Sequence, residues 1–461
     1  MKIGFVSLGC PKNLVDTEVM MGQLAARGHQ LTPRAEEAEV LVVNTCSFIH
    51  PAQQESVNTI LEMAGHKKTG RARKLIVAGC LVERYREEIR RDIPEVDVVI
   101  GVNELERIAE LCEGGDGAFL PPAPEAYLYH ELTPRVRATP PHLAYLKIAE
   151  GCDHPCTFCV IPKFRGRFRS RSVESVVAEA GSLFREGVRE INLIGQDTTC
   201  FGEDYGLKDG LAVLLERLAK IDGAGWVRFL YAYPNKVTQR LLDTIAAHDR
   251  LCKYLDIPLQ HASSRVLKRM KRGASGEIFL RLIERIRRTI PGVAIRTSFI
   301  VGFPGETDED FRELCGFVEA AQFDHLGVFR YSDETNSASF ALDGKVDGRT
   351  IANRQRRVLA LQRKISRARK RGLVGRTLPV LVEGPSSETD LLWEGRLETQ
   401  AREIDGKTYI NDIEGAAPRP GEIRMARITA SYDYDLTGTL LAEAAPGVIP
   451  APVRELLRVL P

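Results

Sequence analysis

No apolar run in the 461 residues approaches the roughly 18 that a membrane-crossing helix needs, which excludes a helical anchor and leaves no membrane partner to expect. Charge of one sign is missing as well. With 64 Lys and Arg against 62 Asp and Glu, no global field draws the chain to nucleic acid or to an anionic surface. No export leader is expected either: Lys2, a short apolar run and then Gly9-Cys10 imitate a lipoprotein signal, but the run is at the short limit for one and alternates like a strand. Ten cysteines without such a leader predict a reducing, cytoplasmic setting, where clustered thiols bind metal more often than they form disulfides. The length suggests two to four domains.

What is present starts with Cys152-Asp-His-Pro-Cys156-Thr-Phe-Cys159, three thiols with three and then two residues between them, after a strand expected over 143–149. Such a loop can wrap three corners of an iron–sulfur cubane. A 4Fe-4S cluster is normally held by four thiolates, so three leave one iron open to another ligand. A structural zinc site and three structural thiols are the competing readings; zinc needs a fourth ligand, which His154, inside the loop, is badly placed to give. The motif resembles the signature of the radical S-adenosyl-L-methionine (SAM) enzymes. That resemblance implies that SAM binds the open iron and is cleaved to a deoxyadenosyl radical.

Three more cysteines stand at strand ends. Apolar runs at 2–8, 40–44 and 74–78 lead into Cys10, Cys46 and Cys80, separated by 36 and 34 residues, about one βα unit each. In an open parallel sheet the carboxyl ends of strands share one edge, so these thiols are expected to converge. A fourth run, 96–100, ends in Gly101. Cys112, Cys200, Cys252 and Cys315 are read as ordinary thiols. With the cluster loop in the same chain, the pattern resembles the methylthiotransferase branch of the radical SAM enzymes. The resemblance implies an auxiliary 4Fe-4S cluster on Cys10, Cys46 and Cys80, beside the radical cluster on Cys152, Cys156 and Cys159.

The fold expected is α/β in three parts. Residues 1–113 form an open parallel sheet domain, 114–141 a proline-rich linker, 142–376 the radical SAM core, 377–443 a small β-barrel resembling a TRAM domain, and 444–461 a tail. Six strands (143–149, 190–194, 226–231, 254–257, 294–301 and 325–331) alternate with helices such as 173–186, 211–221 and 308–321. That they form a partial (βα)6 barrel is implied by the resemblance. Residues 349–376 hold eleven Arg or Lys and no acid, an amphipathic helix whose basic face is solvated or meets RNA or the acidic segment that follows. That segment, 378–440, carries twelve acids against six bases, which suits a basic protein better than RNA.

Within the branch, two substrates compete: an adenosine of tRNA, and an aspartate of the twelfth small-subunit ribosomal protein (the RimO type). Gly9-Cys10-Pro11-Lys12-Asn13 resembles the RimO opening, whereas the tRNA branch has Gln-Met-Asn after its cysteine. Gln260-His261-Ala262 stands where the tRNA branch has Gln-Ser-Gly. The RimO resemblance implies sulfur insertion at the aspartate β-carbon of that protein, free or in the ribosome, with a low-potential donor such as flavodoxin or ferredoxin. It also implies SAM contacts at Phe158, at Gly302 in Gly302-Phe303-Pro304-Gly305-Glu306, and at Gln196 and Asp197, where many relatives have Gly-Gly-Glu. An electron carrier and an RNA-binding module are the readings from other classes.

Overall fold

Strands buried on both faces carry continuous apolar runs rather than alternation, and the first sheet is built from them. The computed structural model describes residues 1–114 and 127–444. It places β1 (Lys2–Ser7), β2 (Gln30–Thr32), β3 (Val40–Thr45), β4 (Lys74–Gly79) and β5 (Val98–Ile100) in the parallel order β2-β1-β3-β4-β5. The helix Pro11–Ala26 starts directly behind Cys10 with proline at its first position, and the helix Cys80–Asp92 starts on Cys80 itself. Both thiols therefore sit at the turn from strand to helix.

The second sheet system comprises β6 (Leu143–Lys147), the small hairpin of β7 (Ala149–Glu150) with β8 (Arg169–Ser170), then β9 (Glu190–Ile194), β10 (Trp226–Phe229), β11 (Tyr254–Asp256), β12 (Ala294–Val301) and β13 (His325–Arg330). Six parallel strands follow in chain order as β6-β9-β10 and β11-β12-β13, the halves joined by the bridge between Val227 and Leu251. Among the described residues β6 and β13 do not pair, so the barrel stays open. The single strand expected over 143–149 breaks at Ile148, which turns β7 away to pair with β8. The one expected over 226–231 stops at Phe229, and Tyr231 adopts a left-handed φ of +65°. Outer helices cover the barrel; Asp308–Ala321 opens with a reciprocal Thr307–Asp310 capping box.

The third unit is a closed barrel of β14 (Thr377–Pro385), β15 (Trp393–Leu397), β16 (Thr408–Ile413), β17 (Ile423–Ser431) and β18 (Leu436–Ala444), in the order β14-β15-β16-β18-β17. It plugs the amino end of the six-stranded barrel. Glu190, first in β9, accepts from Arg228 on β10 and from Arg396 on β15, all fully buried or nearly so. Tyr254, first in β11, donates to Asp405 at 2.7 Å, and His325, first in β13, meets Thr399 O at 2.8 Å. The sheet domain covers the opposite end, where Glu334, beyond β13, accepts from the His50 amide, Gln53 and Arg84.

The proline-rich segment has no regular element over 127–141, yet it is fastened: Arg135 donates to Glu18 and Glu179, and the Val136 and Ala138 amides bond to Glu18. Its prolines at 121, 122 and 124, like the tail beyond 444, lie outside the described residues. Helix Gly348–Arg371 buries Ile351, Val358 and Ile365, and also Arg354 and Lys370, so its basic residues do not all face solvent. The acidic barrel spends much of its charge internally, with Glu383 on Arg396 and His142, Asp405 on Tyr254 and Asp433 on Arg367 of that helix. Its net charge is therefore a poor guide to its partner.

Candidate active site

Tight turns bring the first three cysteines to one edge. Gly9, at φ +87°, takes the chain so close to Cys46 that a Cβ there would sit 2.8 Å from the Cys46 sulfur. Asn13, fully buried, donates to Leu8 O and Thr45 O and so ties the ends of β1 and β3; its Oδ1 lies 4.0 Å from Cys80 Sγ. Burial pushes the Cys80 thiol up to about 12, against the pull of Arg165, and the charges of Cys10 and Cys46 add to the rise. The sequence expectation of convergence is met for all three.

The second trio lies on the loop between β7 and β8, at the carboxyl end of the barrel. Cys152 N donates to Gly166 O and Cys159 N to Cys156 O, while Thr157 is bonded twice to the segment at Arg269 and Met270. Burial raises Cys152 to about 11 and Cys159 to about 12, each further lifted by Cys156. Metal binding must therefore displace protons from these thiols. Among the described residues the one His, Cys, Asp or Glu trio with all ligand atoms within 4.8 Å is His154, Asp197 and Cys200; neither cysteine trio closes up that far. Three sulfurs on a single zinc at 2.3 Å would stand about 3.8 Å apart. Neither trio is preset at that spacing.

His154, Asp197 and Cys200 are hydrogen-bonded to each other rather than spread around an ion. His154 Nε2 donates to Asp197 Oδ2 at 2.6 Å and Cys200 Sγ to the same oxygen at 3.1 Å, while Thr199 occupies Oδ1. The His154 ring also stacks on Tyr233, centroids 3.7 Å apart. Asp197, expected to meet SAM, thus has both oxygens engaged, Oδ2 on the cluster loop through His154 and Oδ1 on Thr199 of its own turn. Gln196 is different. Its amide nitrogen donates to Glu150 at 2.5 Å, and its oxygen is buried without a partner among the described residues.

Phe158 packs with Val266, Met270 and Phe303 beside the loop. At Gly302, φ +81°, the close neighbour is Ile351 of the basic helix, 2.3 Å from where a Cβ would be. Glu306 pins that turn by accepting from the Gly302 and Phe303 amides; burial raises it to about 7, although Arg354 pulls it down.

Arg165, which sequence reasoning missed, joins the two trios. Fully buried, it donates to Asp16 and Glu150 and to Asn13, and lies 3.4 Å from Cys80 Sγ. Lys147 completes the network on Asp16 at 2.5 Å and Glu150 at 2.6 Å. A lysine inside the otherwise apolar strand β6 was the one sequence signal of it. The loop after β10 makes a second link: Tyr231 lies under Lys12, beside Cys10, and Tyr233 under His154.

Three family models cover the chain: the uncharacterized protein family UPF0004 over residues 2–101, the radical SAM superfamily over 146–318, and the TRAM domain over 374–441. A protein of Solibacter usitatus called ribosomal protein uS12 methylthiotransferase RimO is 71% identical over 457 residues, 98% of this chain and 97% of its own. The chain belongs to the RimO family. A RimO protein of Koribacter versatilis is 58% identical, covering 95% of this chain and 96% of its own. Among solved structures, the radical SAM methyltransferase TsrM of Kitasatospora setae superposes with a TM-score of 0.53 at 15% identity, over 71% of this chain and 74% of that one, a likeness of fold. Membership of the RimO family sets aside the tRNA branch. It makes the chain a radical SAM enzyme with iron–sulfur and SAM cofactors. No described helix is long and apolar enough to cross a membrane.

Proposed function

We propose that the chain attaches a methylthio group to the β-carbon of an aspartate in ribosomal protein uS12, in the cytoplasm, using two 4Fe-4S clusters. Cys152, Cys156 and Cys159 would hold the radical cluster, and Cys10, Cys46 and Cys80 the auxiliary one. The observation that carries this reading is that two thiol trios, from separate domains, meet at one end of the barrel across Arg165 and the Tyr231–Tyr233 loop. When bound, the clusters and SAM supply the electron, the radical and the sulfur that a carbon–hydrogen bond with no acidic proton requires.

The chain's own part is holding and orienting. The free oxygen of Gln196 is placed to accept from the SAM ammonium, and Phe158 and the turn at Gly302 form the apolar wall for its adenine. Asp197 and Tyr233 fix the cluster loop through His154. A flavodoxin or ferredoxin delivers the electron.

Iron and sulfide analysis of anaerobic protein tests the cluster count. We expect about eight irons in the intact chain and about four in the Cys10, Cys46, Cys80 triple alanine variant, with deoxyadenosine release kept and sulfur insertion into uS12 lost. An unchanged iron count in that variant rejects the auxiliary cluster. Mass spectrometry of uS12 and of tRNA from the same reaction tests the substrate; methylthiolated tRNA with untouched uS12 rejects it.

A further inference from the structure

Cations line the chamber between the two trios, and nearly all have partners. Lys147 and Arg165 share Asp16 and Glu150, and Arg272 donates to Pro258 O with Cys156 Sγ 3.6 Å away. Lys12 is the exception. Its ammonium lies over the Tyr231 ring, 3.5 Å from the centroid, and it forms no ion pair among the described residues. It stands in the first turn of the helix behind Cys10, its stem partly exposed and its ammonium enclosed against Tyr231 and Cys10. Tyr231 is fixed beneath it in a left-handed conformation, its amide bonded to Asp256.

We propose that Lys12 binds the side-chain carboxylate of the substrate aspartate and so selects aspartate over its amide. The inference rests on the functional reading above and names the residue that recognises the target. The β-carbon to be modified carries that carboxylate, so the group must enter the chamber with it. A carboxylate brought out of water needs a cation or several donors. An ammonium has three donors, of which the Tyr231 hydroxyl takes at most one while the ring face engages the charge. Lys12 thus offers unspent donors beside Cys10, where the sulfur is to be delivered.

A simpler role competes, in which Lys12 only offsets negative charge on the cluster at Cys10. The two are separated by binding rather than by turnover. Full-length, anaerobically reconstituted protein is titrated with free uS12 and with uS12 bearing Asn at the target position, and the auxiliary cluster's midpoint potential is measured alongside. The wild type is expected to prefer the aspartate form. Lys12→Met should weaken binding of that form by about tenfold or more, with the asparagine form and the iron content unchanged, and Lys12→Arg should keep the preference. A Lys12→Met variant that still discriminates overturns the proposal, as does one that loses both forms equally while the potential shifts. Wild-type protein that binds neither form overturns the functional reading and this inference together.

Discussion

The two ends of the six-stranded barrel are closed by different chemistry. At the amino end the charges are matched within the protein: Glu190 lies between Arg228 and Arg396, Arg396 also reaches Glu383, and Asp405 faces His325 and Arg296. At the carboxyl end groups are left with something to bind, namely six thiols, the Lys12 ammonium and the Gln196 oxygen. Paired charges specify how units dock, and clustered thiols with an ammonium that has no ion pair mark where a ligand completes the set; single unpartnered atoms occur at both ends, Asp405 Oδ1 and Gln400 Nε2 at the one and Gln196 Oε1 at the other. The β-barrel therefore serves as a plug and the sheet domain as half of the reaction chamber.

The strongest way to break this contrast is to unpair the sealed end. Arg396→Met leaves Glu383 without its main partner and Glu190 with one arginine, and breaking a buried pair of this kind costs about 3–5 kcal/mol. Urea unfolding should show that loss, with the iron content of the folded fraction unchanged because neither cysteine trio is near and the neighbouring Cys252 belongs to neither. A loss below about 1 kcal/mol would mean that packing, not charge, holds the plug.

Arg165→Met attacks the other end and should cost less stability, about 2 kcal/mol, since Asp16 and Glu150 both keep Lys147. Its larger effect is on coupling between the trios. Deoxyadenosine release should persist while methylthio insertion drops by about tenfold or more, equivalent to roughly 1.4 kcal/mol. Equal loss of both activities would place Arg165 in the radical site alone.

The contrast also explains what could be read from sequence. Strands at 190–194 and 294–301 and the helix at 308–321 coincide with those in the structure, because continuous apolar runs and a capping box are local signals. Cys10, Cys46 and Cys80 were legible because topology sends strand ends to one edge, and Cys152, Cys156 and Cys159 because their spacing is local. Ion pairs are not local. Asp16 and Arg165 are 149 residues apart and Glu190 and Arg396 are 206 apart, and no periodicity announces either pair. The partner of His154 is as remote: inside its loop the ring is badly placed to close a zinc tetrahedron, and it bonds to Asp197, 43 residues on. Beside Gly302, an expected SAM contact, stands Ile351 of the helix that follows the barrel, a neighbour that no local pattern announces.

Glu306 offers a pH test of the carboxyl end. Burial sets it at about 7 in the folded chain against about 4.3 unfolded. The folded state thus holds a proton that the unfolded state has released. Its contribution to stability is full below the unfolded value and declines as pH rises through 7, by on the order of 2 kcal/mol. Glu306→Gln should flatten that part of the pH–stability curve in urea titrations. A wild-type curve that rises over the same interval would show that Arg354, 3.1 Å away, keeps the carboxylate ionised.

The smallest effect is expected outside both ends, on the basic helix. Arg367 reaches Asp433 at 2.6 Å, but its side chain is 60% exposed, so solvent and salt screen the pair. Arg367→Ala should cost at most about 1 kcal/mol, a shift of a few degrees or less in Tm that shrinks further at high salt. Its neighbours Arg356, Arg357, Arg363, Lys364 and Arg371 are exposed as well. A larger, salt-resistant loss would mean that this helix, rather than the buried Glu190–Arg396 contact, carries the docking of the β-barrel, and the division between a sealed end and an open one would have to be redrawn.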